Sequence, residues 1–184
     1  RNGTMQRDSW YTAHRTLAGL ENPAAVGREA ARRTLRRLGA RQPPTGEYPV
    51  VFDAETAVTL LRHLAGAIAG PALYRRMSFL LGTLGQPIAS PAVTVVDDPL
   101  RPAGPASRPF DGEGVAQRRR TIVEQGVPRS YLLDSYSARR LGLASTGHAV
   151  RSIGDAPSAG PTNFFLAPGP HSPEAIIASV RTGL

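Results

Sequence analysis

Proline and glycine interrupt this chain so often, 17 and 19 times in 184 residues, that it can fold only into short elements joined by many turns. The densest interruption is PLRPAGPASRP, residues 99 to 109, which reads as a link between two subdomains. Helical patterns remain between the breaks. Asn22-Pro23 reads as a cap and first turn, and Gly39 as the stop. Val26, Ala30, Ala31, Thr34, Leu35 and Leu38 share one face, with Arg28, Arg32 and Arg36 on a solvated one. Asp53 reads as the cap of a helix that buries Val58, Leu61, Leu64 and Ile68. The small residues Ala65, Gly66, Ala67, Ala69 and Gly70 invite close backbone approach, Pro71 bends or ends the helix, and ALYRRMSFLLG reads as a second helical piece. SYSARRLG, ending at Gly142, and the segment opened by Ser172-Pro173-Glu174 read as two short helices.

Strand patterns are fewer. PVVF (49–52), AVTVVDD (92–98) and PTNFFLAPG (161–169) have buried or β-branched character. RRRTIVEQGVPRSYLLD folds back at Gln125-Gly126, a hairpin signal. Helices and hairpins mix without a βαβ repeat, so the expected class is α+β.

The net charge of +8 comes from 22 arginines and no lysine. The arginines are dispersed and lack interleaved aromatics, which argues against a nucleic-acid platform; arginine-mediated nucleic-acid binding stays an alternative. No cysteine is present, which removes disulfides, thiolate ligands and cysteine nucleophiles and fits a cytoplasmic protein. No apolar run approaches a membrane span. Arg1 is no initiator and the chain stops at RTGL, so the expectation is a piece of something longer.

Chemistry-bearing residues are scarce. His14, His63, His148 and His171 have no partner at metal-motif spacing, and Ser145 and Ser158 lie in loop-like sequence without an evident base. In FDGEGV, Asp111 and Glu113 flank Gly112. They read either as an acid/base pair of an autonomous hydrolase or as a tight turn accepting backbone N–H bonds or pairing with Arg118 to Arg120. The turn is the preferred reading.

FDGEGVAQRRRTIVEQGVPRSYLLDSYSARRLGLASTGHA followed by GPTNFFLAPG closely resembles the central signature of the TldD/PmbA family of bacterial peptidases. MQRDSWYTAHR, NPAAVGREAARRTLRRLGARQPPT, PVVFDAETA and LLRHLAGAIAG fit the same family in the same order. In that family the TldD-type subunit carries a zinc-binding H-E-x-x-x-H helix. Aligned on Gly66, Arg62 and Ala67 stand at its histidines and His63 at its glutamate, so the chain resembles the TldE (PmbA) type.

The resemblance implies a subunit of a two-subunit cytoplasmic zinc metallopeptidase that cuts unfolded or flexible peptides. This chain would shape the chamber and hold substrate, with the zinc on the TldD-like partner and none here. It also implies the end of an α/β N-terminal domain over 1–98, the link over 99–109, and the start of a β-rich C-terminal domain over 110–184. Asp111, Glu113, Ser145, Thr146, Gly147, Thr162 and Asn163, in the FDGEG, STGHA and GPTN segments, are the expected substrate or partner contacts.

Overall fold

The computed structural model describes residues 5–183; Arg1 to Thr4 and Leu184 lie outside the described residues. The architecture is mixed α+β, with five α-helices and small antiparallel sheets among the described residues. The chain forms two compact units that meet in sequence between Tyr48 and Pro49.

The first unit holds α1 (Pro23–Arg36). The Asn22 side chain accepts the Ala24 N–H at 2.9 Å, and proline occupies the first turn, as expected from the sequence. The packed face differs from the expected one. Val26, Ala30 and Thr34 are half-buried, whereas Ala31, Leu35 and Leu38 are exposed. Arg33 takes their place: its guanidinium lies 5.2 Å from the Trp10 ring and 3.4 Å from the Asp8 carboxylate. A guanidinium that covers an indole buries apolar stem and ring together, which periodicity of aliphatic residues does not reveal.

Among the described residues, the second unit contains the other four α-helices and all the strands. α2 (Ala54–Ala67) starts at Asp53, whose carboxylate accepts the Thr56 N–H at 2.7 Å. Leu61, Leu64 and Ala67 pack against a core of Ile68, Leu73, Leu80, Val95, Ile122, Val123, Tyr131, Leu132, Leu133 and Ala138, while Val58 stays exposed. α3 (Gly70–Tyr74) follows with Pro71 in its first turn, so proline does break the helix. The closest approach is at Gly70, where a Cβ would collide with the Ser137 side chain; Gly66 has open space around it. The remainder of ALYRRMSFLLG is not helical. Arg76 adopts φ +58°, and the Met77 N–H reaches the Ala72 carbonyl at 2.8 Å, a left-handed stop made with arginine where glycine is usual. The turns beyond are held by the Tyr131 hydroxyl, which donates to the Leu80 carbonyl and accepts from the Gly82 and Thr83 amides.

One sheet runs in the order β3-β2-β1-β6, all antiparallel. Its strands are β1 (Val95–Asp97), β2 (Arg120–Glu124), β3 (Val127–Pro128) and β6 (Phe164–Leu166). Gln125 and Gly126 both have positive φ, as the two-residue hairpin turn requires. β1 pairs Val96 with Thr121 on one side and Phe165 on the other, so the sheet draws strands from both sides of segment 99–109. β4 (Ala149–Val150) and β5 (Ser158–Ala159) form a second ladder. PVVF forms no strand; Val50 and Phe52 are about half exposed beside Ile176 and Ile177 of α5 (Pro173–Ser179), whose cap is Ser172. α4 (Ser135–Leu141) matches the sequence reading, capped by Asp134 and ended by Gly142 at φ +68°.

Candidate functional site

Several of the expected contact residues converge on one buried polar network below the STGHA segment. Its centre is a pair that sequence reading did not join, Asp97 and His148, 51 positions apart. Asp97 is fully buried on β1, and His148, at 2% exposure, enters β4. His148 Nε2 lies 3.2 Å from Asp97 Oδ2 and acts as the donor, because the carboxylate can only accept. Thr162 donates to the same carboxylate twice, from its backbone N–H at 2.7 Å and its hydroxyl at 2.6 Å. Burial alone would raise the Asp97 pKa; the hydrogen bonds from His148 and Thr162 outweigh it and hold the carboxyl below its ordinary value. On the other side of the imidazole, His148 Nδ1 lies 2.8 Å from the Thr146 hydroxyl, whose oxygen also accepts the Leu133 N–H at 2.7 Å.

The order Asp97, His148, Thr146 has the polarity of a nucleophile relay, but the hydroxyl is already engaged by a backbone donor and the imidazole is sealed from solvent. The arrangement ties β1, the entry to β6, and the STGHA loop to one another. Ser145 is half-buried, donating to the Leu133 carbonyl at 3.4 Å and accepting from the Gly147 amide at 3.3 Å. Gly147 turns the loop at φ +72°, and its carbonyl accepts the Gln117 side-chain amide at 2.6 Å. Asn163 faces elsewhere: its side chain bonds the Ala106 amide, the Asp98 carbonyl and the Ser107 hydroxyl, fastening the 99–109 segment.

Asp111 and Glu113 part company. Asp111 is buried and accepts three backbone N–H groups, from Glu113 and Val115 at 2.9 Å each and from Ala149 at 3.0 Å. Both of its carboxylate oxygens thus serve the turn. Glu113 is exposed and accepts the Ser135 amide at 2.8 Å, across the start of α4. Neither pairs with the arginines of 118–120; Arg119 lies 3.7 Å from Asp98, and Arg120 donates to the Thr146 carbonyl.

Arg62, His63 and Ala67, which the sequence resemblance sets against a metal motif, lie on α2. Arg62 and His63 are exposed, and Ala67 packs on the core. His63 and Ala67 border a small hollow of about 270 Å³ whose other walls include Leu64, Phe79, Leu80, Val93 and Val123. One imidazole against an apolar wall does not fit a zinc ion, which needs three or four nitrogen, oxygen or sulfur donors. Among the described residues no three His, Asp or Glu side chains gather elsewhere as a metal-ligand set.

Residues 45–184 match the family described as PmbA/TldA metallopeptidase C-terminal domain. The chain belongs to the PmbA/TldD family. It is similar to "Metalloprotease PmbA" of Escherichia coli O157:H7, 49% identical over 148 residues, covering 80% of this chain and 33% of that one. It is also similar to "Metalloprotease TldD homolog" of Haemophilus influenzae, 31% identical over 159 residues, with 85% and 33% covered. Among solved PmbA/TldD relatives, TldE from Thermococcus kodakarensis superposes with a TM-score of 0.66 at 25% identity, covering 83% of this chain and 36% of that chain. The chain thus spans about a third of the length of the curated relatives it matches. No helix of the described residues is long and apolar enough to cross a membrane.

Proposed function

We propose that this chain acts as the TldE/PmbA-type, zinc-free subunit of a two-subunit metallopeptidase that cleaves unfolded or flexible peptides in the cytoplasm. The observation that carries the reading is the chemistry of α2: where the sequence resemblance sets the family's metal motif, this chain has Arg62, His63 and Ala67, and the wall beside His63 and Ala67 is apolar. A zinc ion on the TldD-type partner would polarise the scissile carbonyl and activate water. This subunit would close the chamber and orient extended substrate. The buried Asp97–His148–Thr146 bonds and the Asn163 contacts favour such a role, because they hold the STGHA and GPTN loops in fixed positions without spare catalytic groups. Glu113, Ser145 and the exposed parts of those loops are then the surface offered to peptide or partner.

The test mixes the intact protein with a TldD-type partner and measures cleavage of an unstructured peptide together with zinc content. Expected are activity in the mixture, none from this protein alone, and no stoichiometric zinc on it. A partner that is fully active alone and never co-elutes with this protein sinks the proposal, as does one zinc per chain that disappears with His63→Ala.

A further inference from the structure

The Thr146 hydroxyl has a single proton to give and two acceptors in reach. His148 Nδ1 lies 2.8 Å from its oxygen and the Leu133 carbonyl 3.2 Å. The same oxygen accepts the Leu133 N–H at 2.7 Å. The charge of His148 decides where the hydroxyl proton goes. Nε2 carries a proton in either charge state, because it faces Asp97 Oδ2 at 3.2 Å. A neutral ring therefore leaves Nδ1 as an acceptor, and Thr146 donates to it. A charged ring donates from Nδ1, so the hydroxyl must turn to the Leu133 carbonyl while its oxygen accepts from Nδ1 and from the Leu133 amide together. Every one of these atoms is bonded in both arrangements, so the buried ring can change charge without stranding a polar group.

The Leu133 carbonyl is already crowded. It accepts the Thr146 amide at 3.2 Å, the His148 amide at 3.3 Å and the Ser145 hydroxyl at 3.4 Å. A carbonyl oxygen has two lone pairs, so one more donor displaces the most distant of them, Ser145. We propose that Asp97, His148 and Thr146 form a proton-operated latch: protonation of the buried His148 turns the Thr146 hydroxyl onto Leu133 and frees the half-buried Ser145 hydroxyl. The proposal goes beyond the subunit reading and does not depend on it. The charged groups around the ring suit the task. Asp97 on β1 is the one ion-pair partner of His148 among the described residues. Burial pushes its carboxyl up, but the hydrogen bonds from His148 and Thr162 outweigh burial, so Asp97 stays ionised while the ring takes up a proton. Arg120 on β2 reaches the segment through the Thr146 carbonyl at 3.2 Å, and Asp111 through the Ala149 amide at 3.0 Å. Asp134, next to Leu133, is bonded to Ser137, and Gly160 beside β5 brings only its amide, to the His148 carbonyl at 2.9 Å.

The experiment follows the intact protein, isotope-labelled at the nitrogens of histidine, leucine and glycine, by NMR between about pH 8 and about pH 5, where histidine side chains change charge. The reporters are the His148 ring, the Leu133 amide, which donates to the Thr146 oxygen, and the Gly147 amide, which donates to Ser145 Oγ at 3.3 Å. Expected is a change in all three with one shared midpoint. Thr146→Val should abolish the Gly147 response, and Thr146→Ser, which keeps the hydroxyl, should restore it. A His148 ring that holds one charge across the range overturns the proposal, as does a ring that titrates while Leu133 and Gly147 stay still. A Gly147 response that survives Thr146→Val in a folded protein overturns it too. The first two outcomes are read on the parent protein, so the test stands even where the valine variant fails to fold.

Discussion

Replacing Gly70 by alanine should destabilise the second unit, while the same change four residues earlier should not. A Cβ at Gly70 would fall inside van der Waals contact of both the Oγ and Cβ atoms of Ser137, and 3.3 Å from a Leu133 methyl. Ser137 cannot swing aside freely: it is fully buried, it sits in the first turn of α4, and its hydroxyl and amide both bond Asp134. Gly70 in turn donates its amide to the Leu132 carbonyl at 2.8 Å, which fixes α3 against the strand-like segment before α4. Relief therefore requires the two helices to part, and overpacking of this kind costs about 1–3 kcal/mol. Gly66 is exposed on α2, and a methyl group added there meets nothing within 4 Å, so Gly66→Ala should gain up to about 1 kcal/mol from helix propensity. Urea melts of the two variants give opposite shifts of midpoint. Ser137→Gly, which removes both clashing atoms, should also cost less in the Gly70→Ala background than alone. A Gly70→Ala midpoint equal to or above that of the parent protein would refute the close-packing argument.

Acid should weaken the protein in part through Asp97. Its folded pKa lies below the ordinary value, so its contribution is fully present above the unfolded pKa, about 4, and disappears as pH falls through the folded value. The gap in urea midpoint between parent and Asp97→Asn should narrow below about pH 4; a gap constant from pH 7 to pH 3 contradicts this. Tyr131→Phe leaves the Leu80 carbonyl and the Gly82 and Thr83 amides without their shared partner, and denaturant melts should show a loss of about 1–3 kcal/mol. Asp111→Ala strands three backbone amides and should cost a similar amount, again about 1–3 kcal/mol. If Asp111 is structural, any loss of peptidase activity in the reconstituted mixture should track the folded fraction; a folded but inactive Asp111→Asn would restore the acid/base reading.

Where local chemistry decides the structure, the sequence was readable. Asn22, Asp53 and Ser172 each cap the helix that comes after them, Gly142 ends α4, and Gln125-Gly126 turns the hairpin, because each of these acts on amides within a few residues. Distance along the chain hid the rest. Nothing near His148 marks it as the partner of a carboxylate on β1, and its one local signal is Thr146 two residues before it. Arg76 in a left-handed cap defeated the helical pattern of 72–82, since that conformation is expected of glycine. The small residues from Ala65 to Gly70 announced close packing, which falls at Gly70 on α3 and not at the exposed Gly66; which of them is packed depends on where Ser137 arrives. The apolar wall beside His63 draws on Phe79, Leu80, Val93 and Val123, beyond the reach of helical spacing.

The fastening of segment 99–109 by Asn163 also leads to an expected order of events in folding. β2 and β3 are joined by a two-residue turn and need close only a short loop, whereas the Asn163 side chain must find the Asp98 carbonyl 65 positions away. Closing that longer loop costs more chain entropy, so hairpin formation is expected to precede docking of β6 on β1. Asn163 directly precedes β6, so its three bonds to the proline-rich stretch form in the same late step. Until then that stretch lacks the Asn163 bonds that hold it, and a protease pulsed during refolding would find its cleavage site there before β6 arrives and lose it afterwards.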